Sequence, residues 1–307
     1  MIFALKTGLA LLDTDYFYSI EEQTSLFRFS SNRIVCAGDS LTRGAGGDGA
    51  SYPSTLEALA GIQVLNRGYG GKASADIALH MGALKPEVTL LGGYIPASGA
   101  VSVTSINPPT GWRTEQNNET FPGILMGVEG RLIRATNNTW SFTRSSPGAA
   151  VDVPAGTEFV CTENTGDNDS ITITWVGRNN YATDFAEVER DTETLNKWIG
   201  VYNKQHLVIG MTTTSGEPIG SDRARVIARV NSKLADTYQD CYLDILEYLV
   251  NQGLEDAGIT PTEQDQIDIT NGVMPISLRS DAVHLNAIGY QVVGRRIYQK
   301  LISLGWV

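Results

Sequence analysis

Ile34-Val35-Cys36-Ala37-Gly38-Asp39-Ser40-Leu41-Thr42-Arg43-Gly44 decides how the rest of the chain is read. An uninterrupted apolar run ends abruptly in Gly-Asp-Ser, and glycine and polar residues follow. A short apolar run closed by a glycine turn predicts a buried strand, and Ser51 to Ala60 predicts a helix after it. Ser40 then falls on a strand-to-helix turn at the carboxyl end of the first strand of an α/β unit. Open α/β sheets bind their ligands at that edge. Alone, Gly-Asp-Ser is also ordinary turn chemistry, so a nucleophilic reading of Ser40 requires a base and an oxyanion site elsewhere.

Outward from this stretch, Gln63 to Asn66 predicts a second strand. It runs into Arg67-Gly68-Tyr69-Gly70-Gly71-Lys72 and a helix from Ala73 to Leu84, which Pro86 closes. The glycines let backbone N–H groups approach a ligand closely, although a plain flexible turn has the same composition. From Val88 to about Ser170 the pattern changes to period-two runs with frequent turn residues. Ala100–Thr104, Arg131–Ala135, Thr139–Thr143 and Thr157–Cys161 are examples. A stretch of this length without helix signal is too long for a loop and predicts an inserted all-β domain, 88–170.

Helix and strand alternation then resumes. Strands are predicted at Thr172–Val176, Leu207–Met211 and Tyr242–Ile245, and helices at Asp184–Lys204, from Ser221 to Tyr238, and up to Leu304. Between 251 and 279 a polar connection with at most one short helix is expected. The fold class is therefore α/β: a three-layer α/β/α, doubly wound parallel sheet built from 31–87 and 171–307. Residues 1–30, with Phe17, Tyr18, Leu26, Phe27 and Phe29, read as an arm that packs against something.

The chain has three histidines, so a base is sought by elimination. His80 lies within a helix and reads as a surface or packing residue. His206 precedes a strand and enters the sheet at the wrong end for Ser40. His284 sits in a loop before the last helix, three residues after Asp281. An imidazole that takes the serine proton, with a carboxylate to fix its tautomer, is what acyl transfer needs. Asp281 equally suits a turn or helix-cap role. Asn179 follows a strand, as Ser40 and Gly71 do; its amide and the N–H groups of Ser40 and Gly71 supply donors for a tetrahedral oxyanion. A turn role beside Asn180 is the alternative.

Net charge is −11 and the isoelectric point about 4.8, which argues against nucleic acid and anionic membrane surfaces as partners. No run approaches a membrane-spanning length, and the N-terminus lacks a clear signal peptide. Three cysteines, Cys36, Cys161 and Cys241, show neither metal-site nor disulfide spacing. Cys36 and Cys241 read as buried free thiols. No metal and no cofactor are expected.

These blocks resemble those of the SGNH hydrolases, the GDSL esterase family. Gly38-Asp39-Ser40-Leu41 is similar to the first block, with Ser40 implied as nucleophile. Asn66-Arg67-Gly68-Tyr69-Gly70-Gly71 is similar to the second, where Gly71, or else Gly70, is implied as an oxyanion donor. Gly177-Arg178-Asn179-Asn180 is similar to the third, with Asn179 as oxyanion amide and Asn180 in place of the usual Asp. Asp281-Ala282-Val283-His284 is similar to the fourth and implies Asp281 and His284 as the rest of a triad. The resemblance implies a flavodoxin-like sheet and a metal-independent serine esterase.

The expected reaction is removal of an acyl group, acetyl first, from a carbohydrate or surface polysaccharide, in a phage-tail or cell-surface setting where homo-oligomers are common. Trp112, Trp140 and Tyr94 in the insert are of types that stack on sugars, or else form its core. A separable insert predicts that deleting 88–170 spares small esters. A lipase or thioesterase for longer chains, and a non-catalytic glycan-binding module on a hydrolase scaffold, are the alternatives.

Overall fold

The apolar run that opens the chain's α/β pattern is a strand buried on both faces, with a parallel strand paired on each side of it. The computed structural model describes residues 33–108, 119–181, 185–200 and 204–307. The arm expected at 1–30 and Trp112 lie outside them.

In chain order the strands are β1 (Arg33–Gly38) and β2 (Gln63–Gly68), then β3 (Glu87–Leu90), β4 (Tyr94–Ile95), β5 (Ala100–Asn107), β6 (Glu119–Leu125), β7 (Val128–Arg134), β8 (Trp140–Arg144), β9 (Val151–Asp152) and β10 (Thr157–Cys161), and last β11 (Ile171–Trp175), β12 (His206–Ile209) and β13 (Tyr242–Leu243). The α-helices are α1 (Ser40–Arg43), α2 (Tyr52–Ala60), α3 (Ser74–His80), α4 (Phe185–Trp198), α5 (Asp222–Tyr238), α6 (Ile245–Asn251), α7 (Gly253–Asp256), α8 (Glu263–Thr270) and α9 (Ala287–Ser303).

Five strands pair in parallel in the order β13-β12-β11-β1-β2. With the insert's strands set aside, the chain leaves β1 to one side for β2 and returns to the other side for β11. That reversal makes the carboxyl ends of β1 and β11 a topological switch point, where a crevice opens. Alternate residues of β1 serve different cores, because side chains of a strand point to opposite faces. Val35 and Ala37 pack with Ala75 and Ala78 of α3, Val188 of α4 and Val230 of α5. Ile34 and Cys36 pack with Tyr52 and Leu56 of α2 and Tyr290 and Val293 of α9. Each fully buried aliphatic or aromatic side chain there contributes about 1.5–3 kcal/mol. Ser51 starts α2 as its cap, accepting from the Ser54 N–H at 3.3 Å.

The insert closes into an antiparallel barrel, β10-β3-β5-β8-β7-β6, and β4 pairs with β9 beside it. Its alternation is plain along β6, where Glu119, Phe121, Gly123 and Leu125 are buried and Thr120 and Ile124 are exposed. The interior, with Phe121, Leu132, Phe142 and Phe159, is continuous with the core on the α3 side of the sheet. Residues 31–307 accordingly form one compact unit. Trp140 belongs to that interior: it is 8% exposed and stacks on Phe121 at 5.8 Å between ring centres. Its core role prevails over sugar stacking, whereas Tyr94 is 45% exposed.

Several boundaries move. The helix expected to Leu84 stops at His80, and the one expected to Lys204 stops at Trp198. The strand at 242 is two residues long, because Asp244 caps α6 by accepting from the Glu247 N–H at 2.9 Å. The polar connection before residue 279 holds α7, α8 and a 3₁₀ turn, Ile276–Leu278; short helices with polar faces leave little periodic signal. Cys36 is buried as expected, but Cys241 is only half-buried and Cys161 lies in the barrel core. No helix among the described residues is long and apolar enough to cross a membrane.

Candidate active site

β1 ends at Gly38 because no larger residue fits. A Cβ there would lie 2.1 Å from Thr42 Oγ1 and 2.5 Å from the Trp175 carbonyl oxygen. Asp39 then turns the chain, its carboxylate accepting from the Leu41 N–H at 2.9 Å. The helix that begins at Ser40 is a single turn ended by Gly44. Asp39 is buried, and burial pushes its carboxyl up to about 6, against the Leu41 N–H and the nearby charge of Arg178. Ser40 itself is half-buried at the lip of the crevice.

Asp281 makes its own turn and meets the histidine as well. One carboxylate oxygen accepts from the N–H groups of Val283 and His284, both at 2.7 Å, and the other lies 2.8 Å from His284 Nδ1. Slight burial opposes ionisation, but the His284 and Val283 donors outweigh it and hold Asp281 down at about 2. His284 Nε2 is 3.0 Å from Ser40 Oγ, across 244 residues of sequence. The partners assign the tautomer: Nδ1–H donates to Asp281, leaving Nε2 to accept from the Ser40 hydroxyl.

Packing closes this loop onto the serine turn. Tyr290 Oη donates to the Ala45 carbonyl at 2.7 Å, and the Ser280 N–H donates to the His284 carbonyl at 2.9 Å. Gly46 lets the two loops approach, since a Cβ there would lie 2.0 Å from Ser280 Oγ and 3.0 Å from His284 Cβ.

On the other side of Ser40 lies the glycine loop after β2. The Tyr69 N–H donates to the Gly38 carbonyl at 2.8 Å and ties the loop to the end of β1. Gly71 has a φ of +75°, and the space beside its Cα is open; a Cβ on Gly70 would meet Arg43 Nη1 at 3.3 Å. Asn179 Nδ2 donates to the Lys72 carbonyl at 3.0 Å, which joins the loop after β11 to the glycine loop. Asn180 anchors the same junction, accepting from the Ser74 N–H at 3.1 Å and donating to Glu187 at 2.8 Å. An amide both donates and accepts there, which a carboxylate does not.

Sequence reasoning missed two supports. Arg178 makes a bidentate pair with buried Glu217, at 2.8 Å to each oxygen, and lies over the Tyr181 ring. Burial opposes ionisation of Glu217, but Arg178, Tyr181 and the Thr214 N–H hold it down at about 2. The Ser215 N–H then donates to the Ala282 carbonyl at 3.1 Å, so the loop after β12 braces the histidine loop. No spacing connects 178 with 217; only the threonine run at the end of β12 marks this loop. The second support is Lys72, whose Nζ lies 2.9 Å from Glu119 of the barrel.

The remaining histidines are placed elsewhere. His206 is buried at the opposite end of β12, 2.8 Å from Thr174 Oγ1, and burial pushes it down to about 3. His80, read as a surface or packing residue, is buried between Glu119 and Glu163, at 3.0 and 2.7 Å.

No family model matches the chain. Over 279 residues, 82% of this chain, it is 26% identical to the tail spike protein of Salmonella phage epsilon15 and spans only 25% of that protein's length. Among solved structures it is similar to AlinE4, an SGNH-hydrolase family esterase. Identity there is 16% and the TM-score 0.38, with 78% of this chain and 90% of that one covered. It is also similar to a possible lipase from Chitinophaga pinensis, at 12% identity and TM-score 0.41, covering 90% and 99%. A peptidoglycan O-acetylesterase follows at 13% and 0.35, covering 92% and 94%.

Proposed function

We propose that the chain is a serine hydrolase that cleaves an O-acyl ester, acetyl first, on a carbohydrate. The observation that carries this reading is the unbroken hydrogen-bond chain Ser40 Oγ–His284 Nε2, His284 Nδ1–Asp281 at the carboxyl edge of the sheet. Ser40 Oγ attacks the ester carbonyl while His284 Nε2 takes its proton, and Asp281 holds the imidazolium. The oxyanion formed accepts hydrogen bonds from the Ser40 and Gly71 N–H groups and from the second N–H of Asn179 Nδ2. Gly71 is favoured over Gly70 by the open space beside it. As the bond between the carbonyl carbon and the sugar oxygen breaks, His284 gives the proton to that oxygen, releasing the sugar hydroxyl and leaving acyl-Ser40. Water, deprotonated by His284, then releases the carboxylic acid and restores Ser40.

The catalytic part on this reading is 31–87 with 171–307, and 88–170 is its insert. The tail spike relative supports a setting where a surface polysaccharide carries the ester. An apolar groove of about 440 Å³ lies between α5 and α6, lined by Ile227, Tyr242, Leu246 and Val250 among others. Its lining includes none of Ser40, Gly71, Asn179, Asp281 or His284, so this groove is not an acyl site for that serine.

Acetate release from acetylated glycans and hydrolysis of nitrophenyl acetate are the test. Turnover should fall steeply from acetate to butyrate, and Ser40→Ala should reduce it to background, roughly a million-fold, without lowering Tm. Turnover that persists in Ser40→Ala removes Ser40 as nucleophile, and rates rising with chain length favour the lipase alternative.

A further inference from the structure

The barrel reaches the oxyanion side of the site through buried charges. Glu119, the first residue of β6, is 8% exposed and has three basic partners. Its carboxylate bonds Arg134 of β7, lies 3.0 Å from His80 Nε2, and lies 2.9 Å from Lys72 Nζ. Arg134 is fully buried and turns its other amino group to Asp76 of α3, at 3.2 Å. Asp76 in turn accepts from the Ala73 N–H at 3.4 Å, at the start of α3. His80 stacks flat on Tyr69, ring centres 4.0 Å apart, and the Tyr69 hydroxyl accepts from Asn164 at 2.7 Å. Tyr69, Lys72 and Ala73 therefore all have partners in or next to the barrel. They bracket Gly70 and Gly71, and the carbonyl of Lys72 is the one that holds Asn179.

We infer that Glu119 and Lys72 are positioning residues, through which the barrel sets the glycine loop that carries the Gly71 N–H and orients the Asn179 amide. This rests on the serine-hydrolase reading above. A charge pair taken out of water has few alternative geometries, because each ion must keep its partner. The loop itself contains glycines that would otherwise leave it free. Oxyanion donors act only if they are fixed before the reaction, and a misplacement of about 1 Å costs up to about a hundredfold. The insert on this view is part of the catalytic scaffold, and its deletion abolishes turnover of small esters as well as polymer, opposite to the expectation for a separable module.

Lys72→Met in the full chain tests this, because Glu119 keeps Arg134 and His80. Sites are counted by end-point titration of Ser40 with a reactive phosphonate, and rates are taken on nitrophenyl acetate. Expected is a fall in kcat per titrated site of roughly ten- to a hundredfold, with KM within about twofold, since the contact acts in the transition state. Lys72→Arg should recover most of it, and Lys72→Gln, which also removes the charge, should show the same split as Met. An unchanged kcat per titrated site, or a loss confined to the number of titratable sites, overturns the inference. Ser40→Ala run in parallel separates the two readings. Residual turnover in Ser40→Ala sinks the serine mechanism itself; an inactive Ser40→Ala beside a fully active Lys72→Met sinks only the barrel's part.

Discussion

The two sides of Ser40 are built differently. On the histidine side, Asp281 is about half exposed and holds His284 through a turn of four residues, with two backbone N–H bonds and one side-chain bond. On the glycine-loop side, Asn179 donates to the carbonyl of Lys72, the residue after Gly71, and the Lys72 ammonium ends in a buried cluster formed by residues from β6, β7 and α3. A short-range turn can be assembled before the rest of the fold. A charge cluster spanning the barrel and the sheet exists only once both have closed. The first device tolerates water; the second depends on excluding it, because bonds between ions strengthen as the local dielectric falls.

That contrast can be broken from either side. Asp281→Asn should have the largest effect of the substitutions that leave Ser40 in place. It keeps an acceptor for the turn but disrupts the tautomer that presents Nε2 to Ser40, and kcat should fall by roughly ten thousand-fold with little change in KM. Steady-state kinetics at pH 8 check this, and a loss below about tenfold would show that Asp281 serves the turn alone. Asn179→Ala removes one donor from the opposite side and should lower kcat by roughly a hundred- to a thousandfold. Its Lys72 carbonyl bond is lost too, so a double substitution with Lys72→Met should be less than additive if both act on one loop.

The smallest effect is on stability. Asp39 has its folded carboxyl raised to about 6 from an ordinary 3.8. The folded chain therefore holds that proton more tightly than the unfolded one. Its ionised form opposes folding above about pH 6, and the penalty is relieved as pH falls from 6 towards 4. Asp39→Asn keeps a cap for the Leu41 N–H and should raise stability at pH 8 by about 1–2 kcal/mol, a gain that disappears near pH 4. Urea unfolding at the two pH values measures it. Asp281 has the opposite sign: its carboxyl is lowered to about 2, so its contribution is present above about 4 and is lost as pH falls towards 2.

Much of this was legible in the chain itself. The apolar run ending at Gly38, the later strands and the period-two insert reflect side-chain periodicity, which is local and survives in sequence. The blocks around Ser40, Gly71, Asn179 and Asp281–His284 were legible for a related reason. Each is a turn at a strand end or before a helix, and a turn needs particular residues at fixed offsets. The short helices before residue 279 were not legible, because tertiary packing rather than propensity stabilises them.

Sequence determined the strand pattern, the turn chemistry and which residues are candidates for the site, because each depends on neighbours a few positions away. Tertiary structure alone decided that the insert closes into a barrel, that Trp140 faces its interior, and that His80 sits between two carboxylates. It also decided that Glu119 reaches Lys72 and that Arg178 reaches Glu217. Such pairings join residues about 40 or more positions apart, and their partners are chosen by how the sheet and the barrel pack, a choice no local pattern records.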